Sequence, residues 1–428
     1  MSSPSKLFSL EGRGLKLDTA ADTEPHIKDL RDNPDVEEVR LGGNTLGTGA
    51  CEALAEALAE KKSLQVAKLA DIFTSRLLAE IPPALSSLLT ALLALPDLHT
   101  VDLSDNAFGL NTQAPLVDFL ARHVPLRHLI LNNNGLGPEA GALVANALTE
   151  LHAKKEAARE EGKEVPDLQT VVCGRNRLEN GSMDAWAKAY SAHKGVKVVK
   201  MVQNGIRPVG IRLLLQGGLK NASRLQVVDL QDNTFTKEGS DALAQVVTGW
   251  ADLVELGVGE CLLEARGAEN LARALGKKHN SDLEILRLQF DGITVKGLNG
   301  FVDAAKTALP KLKRVEINGN KFSVEDEGVE TLRTLLEERK TEAGGGDEAE
   351  DEWGLDELHE SDMEDESDDE EEEGEESEQE EPDERDDEKE DKAERTLKDA
   401  DDAENENVAQ DKDEQVDELA EKLRKTEI

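Results

Sequence analysis

The segment LRHLILNNNGL, residues 126–136, sets the frame for the whole chain. Its apolar residues are typical of a short strand, and three asparagines follow at once. Asparagine is a poor strand former, and its amide is costly to bury without hydrogen-bond partners. Each of the three therefore needs a structural or a functional reason.

The same pattern, LxxLxLxxNxL, recurs along most of the chain. Its copies begin at Val36, Leu64, Leu98, Leu126, Leu168, Val196, Leu225, Leu253, Leu283 and Leu312, after a degenerate first copy at Phe8. Most copies are 28 to 30 residues apart, which leaves room for a strand and a helix. One such unit cannot bury its own apolar faces, so neighbouring units must stack. The sequence predicts an α/β leucine-rich-repeat horseshoe like that of ribonuclease inhibitor, with about eleven strand-helix repeats and a parallel inner sheet, over residues 1–345.

The asparagine of the pattern lies where the chain leaves the strand. In the segment above it is Asn134, and we expect its amide to bond the backbone of adjacent turns. Losing such a buried amide would cost roughly 1–3 kcal/mol. Ile72 and Cys261 occupy this position in two repeats, and Asp291 occupies it in a third.

The residue just before that asparagine is expected at the rim of the horseshoe. Strand alternation turns Leu129 and Leu131 inward and Asn132 to the concave side, and leaves Asn133 at the rim. The equivalent positions are Gly43, Asp71, Asp105, Asn133, Arg175, Gln203, Asp232, Glu260, Phe290 and Gly319. The row is polar and mixed in charge over its middle, as a protein-binding edge would be. A hydrated rim is the alternative.

Two repeats are longer than the others. The 34-residue spacing contains ADIFTSRLLAEIPPAL, residues 70–85, whose loop cannot follow the usual turn. The 42-residue spacing contains the charged insertion HAKKEAAREEGKEV after Leu151, which we expect to extend a helix on the solvated side. His123 and His128 lack a third metal ligand, and we expect both at the surface.

The charge of the chain is concentrated at its C-terminal end. Residues 347–428 contain 43 acidic and 9 basic residues, so they carry −34 of the formal net charge of −41. We predict a closing helix after Ser323 and an acidic, mostly disordered tail over residues 346–428. A polyanion is repelled by nucleic acid and by anionic lipid, so neither is expected as a partner. The tail could attract a basic protein surface or serve only as a solubilising segment.

No catalytic signature is present in the sequence. The chain lacks a GxxxxGK[ST] phosphate loop, an HExxH motif and a GxSxG motif. Its three cysteines, Cys51, Cys173 and Cys261, have no spacing typical of disulfides or of zinc sites. We therefore expect no metal, no cofactor and no independent active site. The most apolar segment, residues 84–95, is too short to span a bilayer, and we expect a soluble intracellular protein.

Several segments together resemble the Ran GTPase-activating proteins. They are SLEGRGLKLD, DIFTSR, LHTVDLSDNAFG, NNGLGPEAGA, CGRNRLENGSM, KMVQNGIRP, VDLQDNTFT and the acidic tract. The similarity covers residues 6–340, and the chain resembles the shorter fungal form, in which no globular domain follows the acidic tract. The resemblance implies a GTPase activator with eleven repeats, which stimulates GTP hydrolysis by the small GTPase Ran and acts in nucleocytoplasmic transport.

The resemblance also implies roles for individual residues. Asn133 matches the asparagine that positions the catalytic glutamine of the GTPase, and Arg76 matches an arginine that supports the catalytic region without acting as an arginine finger. Without the resemblance, Arg76 would be interpreted as part of a surface salt bridge. GTP and Mg²⁺ would belong to the GTPase. The repeat frame, rather than the resemblance, gives the further expected contacts with the partner, which are Asp71, Asp105, Asn132, Arg175, Gln203 and Asp232.

The expected partner is Ran in its GTP form, with a Ran-binding protein as an accessory. We expect a monomer in the cytoplasm, near the nuclear envelope. The alternative is an acidic leucine-rich-repeat binding protein or histone chaperone-like scaffold, although repeats of 28 or 29 residues are longer than those of that class. A third interpretation, an inhibitor-like scaffold, leaves the irregular loop around Arg76 unexplained.

Overall fold

The computed structural model describes residues 5–344 and 353–359 of the chain. Strands and helices alternate through this part, as the repeat pattern predicts. The strands are Leu7–Ser9 (β1), Lys16–Leu17 (β2), Glu38–Arg40 (β3), Thr45–Leu46 (β4), Val66–Lys68 (β5), Thr100–Asp102 (β6), His128–Ile130 (β7), Thr170–Val172 (β8), Val198–Lys200 (β9), Val227–Asp229 (β10), Glu255–Gly257 (β11), Ile285–Arg287 (β12), Arg314–Glu316 (β13) and Gly354–Leu355 (β14).

A helical segment follows most strands of the repeats. The helices are Ala20–Asp32 (α1), Thr48–Ala59 (α2), Ile81–Leu93 (α3), Ala114–Leu120 (α4), Gly137–Glu160 (α5), Met183–Ala192 (α6), Pro208–Arg212 (α7), Thr236–Val246 (α8), Glu264–Leu275 (α9), Val295–Thr307 (α10) and Glu327–Glu342 (α11). A π-helical turn, Leu213–Gly218, continues α7, and single 3₁₀ turns lie at Asn180–Ser182, Leu219–Asn221 and Val247–Gly249.

Twelve of the strands form one parallel sheet in chain order, and β2 pairs with β4 beside it. The register is the same at each step, so that Val101, Leu129 and Val171 are neighbours at the centres of β6, β7 and β8. These central residues are fully buried and belong to one apolar core with the helices. The flanking residues of most strands are half-buried on what we call the open face of the sheet. The fold is the predicted leucine-rich-repeat fold.

A ladder of buried amides joins the turns after the strands. Nδ2 of Asn134 donates to the carbonyls of Leu103 and Leu131 at 3.1 and 3.0 Å, and its Oδ1 accepts from the backbone N of Asn106 at 2.9 Å. The same kind of cross-repeat bonding is made by Asn44, Asn106, Asn176, Asn204, Asn233 and Asn320. We call these residues, with Asn134, the asparagine ladder. It satisfies backbone groups that the short strands leave unpaired.

Three repeats replace the ladder asparagine in different ways. Ile72 is buried and keeps the backbone bond of the ladder, from its N to Oδ1 of Asn106, but contributes no side-chain amide. Cys261 donates weakly through Sγ to the carbonyl of Leu230 at 3.3 Å. Asp291 accepts from the backbone N of Cys261 at 2.8 Å, and burial raises the pKa of Asp291 to about 8. Burial thus favours the protonated form of this carboxyl near pH 7.

The charged insertion extends a helix, as expected, but it is not wholly solvated. It makes α5 24 residues long. Lys155 within it is 1% exposed, and its Nζ donates to the carbonyls of Val124, Leu126 and Pro166 at 2.6 to 2.8 Å. Burial lowers the pKa of Lys155 to about 7. The lysine thus fastens the long helix to the turn before β7 and to the end of the insertion.

The expectation that His123 and His128 lie at the surface is wrong for His123. His123 is buried, its Nε2 donates to the carbonyl of Leu98 at 2.7 Å, and its ring stacks on Phe119. Burial lowers its pKa to about 4. His128 is half-buried at the start of β7. The turn after α4 places His123 against the start of its own repeat, where a neutral imidazole satisfies the buried carbonyl of Leu98.

The sheet continues beyond the predicted boundary at residue 345. α11 is the expected closing helix, and β14 then pairs with β13. The Asp356 carboxylate accepts from the backbone N of Ile317 and of Asn318, both at 2.9 Å. Leu355 and Leu358 pack against the core. A short segment of the acidic region therefore caps the sheet, while residues 360–428 of the predicted tail lie outside the described residues.

Candidate partner-binding edge

The ten predicted rim positions share one backbone conformation. Each has φ between +50° and +71°, at Gly43, Asp71, Asp105, Asn133, Arg175, Gln203, Asp232, Glu260, Phe290 and Gly319. We call them the turn row. Glycine adopts this left-handed conformation freely, whereas other residues pay on the order of 1 kcal/mol or more. Eight of the ten positions nevertheless carry a side chain, which the turn projects at the ends of the strands.

The three consecutive asparagines have three different surroundings. Asn134 is 2% exposed and belongs to the ladder. Asn132 is half-buried, and its Oδ1 accepts from the backbone N of Gly174 at 2.7 Å. Asn133 is exposed, with φ of +54°. The predicted inward and outward positions in this segment are confirmed.

One side-chain hydrogen bond holds the amide of Asn133. Its Nδ2 donates to Oδ1 of Asp105 at 2.9 Å, and its own Oδ1 has no hydrogen-bond partner among the described residues. The backbone N of Asp105 donates to the carbonyl of Asn132, and that of Asn133 donates to the carbonyl of Gly174, both at 2.9 Å. Both turns are thus fixed by the next repeat, and the Asn133 oxygen remains available to a partner.

Arg76 lies in the irregular segment 71–80 and is bound within the chain. Nε donates to Oγ1 of Thr45 at 2.9 Å, and Nη2 donates to the carbonyl of Thr45 at 2.8 Å and to that of Leu17 at 3.2 Å. Nη1 pairs with the half-exposed carboxylate of Asp18. The side chain is only 7% exposed. In this arrangement the guanidinium ties the segment to the first two repeats.

The rest of segment 71–80 presents apolar surface. Leu77 and Leu78 are 70% and 60% exposed. Phe73 packs edge-on against Phe108 of the next repeat at 6.3 Å between ring centroids. Thr74 Oγ1 donates to the carboxylate of Asp71, one of the expected contact residues, which is half-buried. Sequence reasoning missed the two leucines, although two apolar residues in a loop that departs from the repeat were a usable signal.

The other expected contact residues lie farther along the turn row. Arg175 and Gln203 are exposed, and Asp232 is half-exposed. Gln203 and Asp232 line a groove of about 710 Å³ with Leu262 and Phe290. Phe290 is 52% exposed, and its ring lies so close to Gly319 that a Cβ there would be 2.2 Å from it. This apolar end of the row was not predicted as a contact surface.

The open face of the sheet differs from the turn row because its charges pair with one another. Lys200 Nζ lies 3.2 Å from Glu255, and Arg287 pairs with Glu255 and with Glu316. Burial opposes ionisation of Glu255, but the charges of Lys200 and Arg287 outweigh it and lower its pKa. The strands from β9 to β13 thus neutralise one another across their part of this face, and a partner would have to displace these pairs there.

The described residues provide neither a metal cluster nor a membrane-spanning helix. Within residues 5–344 and 353–359, no group of three or more His, Cys, Asp or Glu side chains is arranged to hold a metal ion. In the same part of the chain no helix is both long and apolar enough to cross a membrane. Cys51 and Cys173 are buried free thiols, and burial raises the pKa of each to about 12. They are packing residues.

The chain is similar in sequence to several known proteins. The chain is 40% identical over 341 residues to Ran GTPase-activating protein 1 of Saccharomyces cerevisiae, covering 78% of this chain and 83% of that protein. It is 33% identical over 362 residues to the Ran GTPase-activating protein of Drosophila melanogaster, covering 84% of this chain and 59% of that protein. Ribonuclease inhibitor of Sus scrofa is 26% identical over 322 residues, 74% of this chain and 60% of the inhibitor. No family model matches the chain.

Proposed function

The chain belongs to the Ran GTPase-activating protein family, and we propose that it stimulates GTP hydrolysis by Ran through the turn row, with Asn133 at the centre of the contact. The observation that carries this proposal is the position of Asn133. It is exposed and left-handed, while Asn132 and Asn134 on either side of it bond the backbone. Its side chain is the most exposed of the three.

We propose that Asn133 acts by positioning. Small GTPases hydrolyse GTP slowly because the attacking water and the glutamine that orients it are poorly ordered. Activators supply about 10³–10⁵ in rate, or roughly 4–7 kcal/mol. An uncharged amide held on a stiff edge can contribute by fixing the geometry of that glutamine. GTP, Mg²⁺ and the glutamine would all belong to Ran, so the chain needs no cofactor of its own.

The proposed role of Arg76 is to hold segment 71–80 against Ran. Its donors are occupied by Thr45, Leu17 and Asp18, which supports a structural contribution rather than that of an arginine finger. Leu77 and Leu78, beside it, would then meet the partner on a fixed loop. From β9 to β13, the self-paired charges of the open face favour the edge over the face as the docking surface.

The wider setting is also proposed. We infer that the chain acts as a monomer on the GTP form of Ran, with a Ran-binding protein as an accessory. We infer that it works in the cytoplasm, near the nuclear envelope, in nucleocytoplasmic transport. Family membership favours this function over that of an acidic histone chaperone-like scaffold.

The test is single-turnover GTP hydrolysis by purified Ran with an excess of the full chain. The parent chain should accelerate hydrolysis. Asn133→Ala should lower the stimulated rate on the order of 10²-fold, because the glutamine loses its orienting contact. Arg76→Ala should lose less. Asn299→Ala, the same change on an exposed helical residue, is the matched control and should behave as the parent. Parent-like hydrolysis by the Asn133 variant would contradict the proposal.

A further inference from the structure

The hydrogen bond between Asp105 and Asn133 decides which atom of the asparagine amide faces a partner. A carboxylate can only accept hydrogen bonds, so the Asn133 atom directed at Asp105 must be Nδ2. The observed bond, 2.9 Å from Nδ2 to Oδ1 of Asp105, has this sense. Oδ1 is the other terminal atom of the Asn133 carboxamide, and it therefore points away from Asp105. An amide without such a neighbour could present either atom.

Which atom faces outward matters because the partner group, on the proposed function, is itself a carboxamide. A glutamine side chain has one donor end and one acceptor end. If Asn133 presents its oxygen, it accepts from the NH₂ of the glutamine, and the glutamine oxygen stays available to accept from the attacking water. If Asn133 presents its NH₂, it binds the glutamine oxygen and competes with that water.

We propose that Asp105 is a positioning residue, which fixes the amide of Asn133 so that its oxygen faces the catalytic glutamine of the bound GTPase. This inference rests on the proposed function. The two residues sit in equivalent turns of adjacent repeats, after β6 and β7, with φ of +58° and +54°. Because the next repeat fixes both turns through backbone bonds, the side-chain pair needs little reorganisation when a partner binds.

The first test is Asp105→Asn, measured by single-turnover hydrolysis over a range of chain concentrations. Asparagine has nearly the size of aspartate and tolerates the left-handed turn. It can donate as well as accept, so it no longer selects one orientation of Asn133. We expect the maximal stimulated rate to fall about tenfold, while the chain concentration at half-maximal rate and the melting temperature stay at the parent values. Asp252→Asn, on an exposed turn, is the matched control.

The second test is a reciprocal exchange of the two residues. Asn133→Asp alone places two carboxylates against each other and should lose most of the stimulation. In the double variant Asp105→Asn with Asn133→Asp, the new amide donates to the new carboxylate, whose second oxygen again faces outward as an acceptor. The double variant should therefore be faster than Asn133→Asp alone. A role of Asp105 in folding alone predicts no such recovery.

The outcomes separate the inference from the function on which it rests. If Asn133→Ala hydrolyses like the parent, the proposed function fails. If Asn133→Ala is slow but Asp105→Asn keeps the parent's maximal rate, the positioning role fails and the proposed function stands. A variant that changes only the half-maximal concentration would make Asp105 a contact residue, which also overturns the positioning role.

Discussion

In the seven repeats that contain a ladder asparagine, the turn-row residue comes directly before it, yet the two positions differ in almost every physical property. Asn134 is 2% exposed and bonds the backbone of two repeats, whereas Asn133 is exposed and bonds one side chain. The ladder residues complete hydrogen bonding that the fold cannot leave open. The row residues occupy a backbone conformation that glycine would adopt at less cost. The difference indicates that stability depends on the ladder and recognition on the row.

The largest effect on stability should come from Asn134→Ala. This change removes the donor to Leu103 and Leu131 and the acceptor for the backbone N of Asn106, all buried. We expect the free energy of unfolding to fall by about 1–3 kcal/mol. Asn133→Ala loses no buried hydrogen bond but puts alanine in a left-handed turn, and it should lower the free energy of unfolding by no more than about 1 kcal/mol. Urea unfolding of both variants measures the contrast, and equal losses would break the distinction between ladder and row.

Asp291→Asn should stabilise the ladder, and the gain should depend on pH. Burial raises the pKa of Asp291 from 3.8 to about 8 in the folded chain. Between about pH 4 and pH 8 the folded state keeps a proton that the unfolded state has lost, so the parent loses stability as the pH rises. We expect the variant to exceed the parent by about 1 kcal/mol or more at pH 8 and by less at pH 5. Urea unfolding at both pH values tests this, and a gain independent of pH would contradict it.

Removing the capping strand should have an intermediate effect. A chain that ends at Gly344 loses β14, the Asp356 carboxylate and the packing of Leu355 and Leu358. We expect its unfolding free energy to be about 1–2 kcal/mol below that of a chain that ends at His359. Amide exchange at Ile317 and Asn318 should also quicken. If both truncated chains have the unfolding free energy of the full chain, the Asp356 carboxylate does not take the place of a following repeat.

The smallest effect should be found in the row itself. Gln203→Gly relieves a left-handed conformation with φ of +55° but adds backbone entropy to the unfolded chain. The two effects nearly cancel, and we expect the free energy of unfolding to rise by no more than about 1 kcal/mol. The measurement is the melting temperature of Gln203→Gly, compared with that of Asn204→Gly, which removes the adjacent ladder residue. A clear loss for Gln203→Gly would show that the row also supports the fold.

The sequence predicts the repeats, the ladder and the row well, because a fixed period forces a fixed register. Once Asn134 is assigned to the ladder, strand alternation assigns Leu129 and Leu131 to the core and leaves Asn133 outside. The fold and the exposed asparagine therefore follow from local spacing alone.

Features that depend on contacts between distant segments could not be predicted in this way. The burial of Lys155 and His123 depends on hydrogen bonds to carbonyls 25 to 31 residues earlier in the chain, at Leu98, Val124 and Leu126. The four hydrogen bonds of Arg76 reach back roughly thirty to sixty residues, to Thr45, Leu17 and Asp18. β14 is a short apolar island within an acidic region, so composition hides it.

The constant register of the sheet also sets a scale of length. β7, which precedes Asn133, and β12, which precedes Phe290, are five strands apart in the sheet, and adjacent strands lie about 4.8 Å from each other. The number of intervening units therefore fixes a span of about 24 Å between the two positions. Adding or deleting one complete unit between them would change that span by a single step while leaving every unit properly folded. Length variants of this kind would keep both surfaces intact and change only the distance between them.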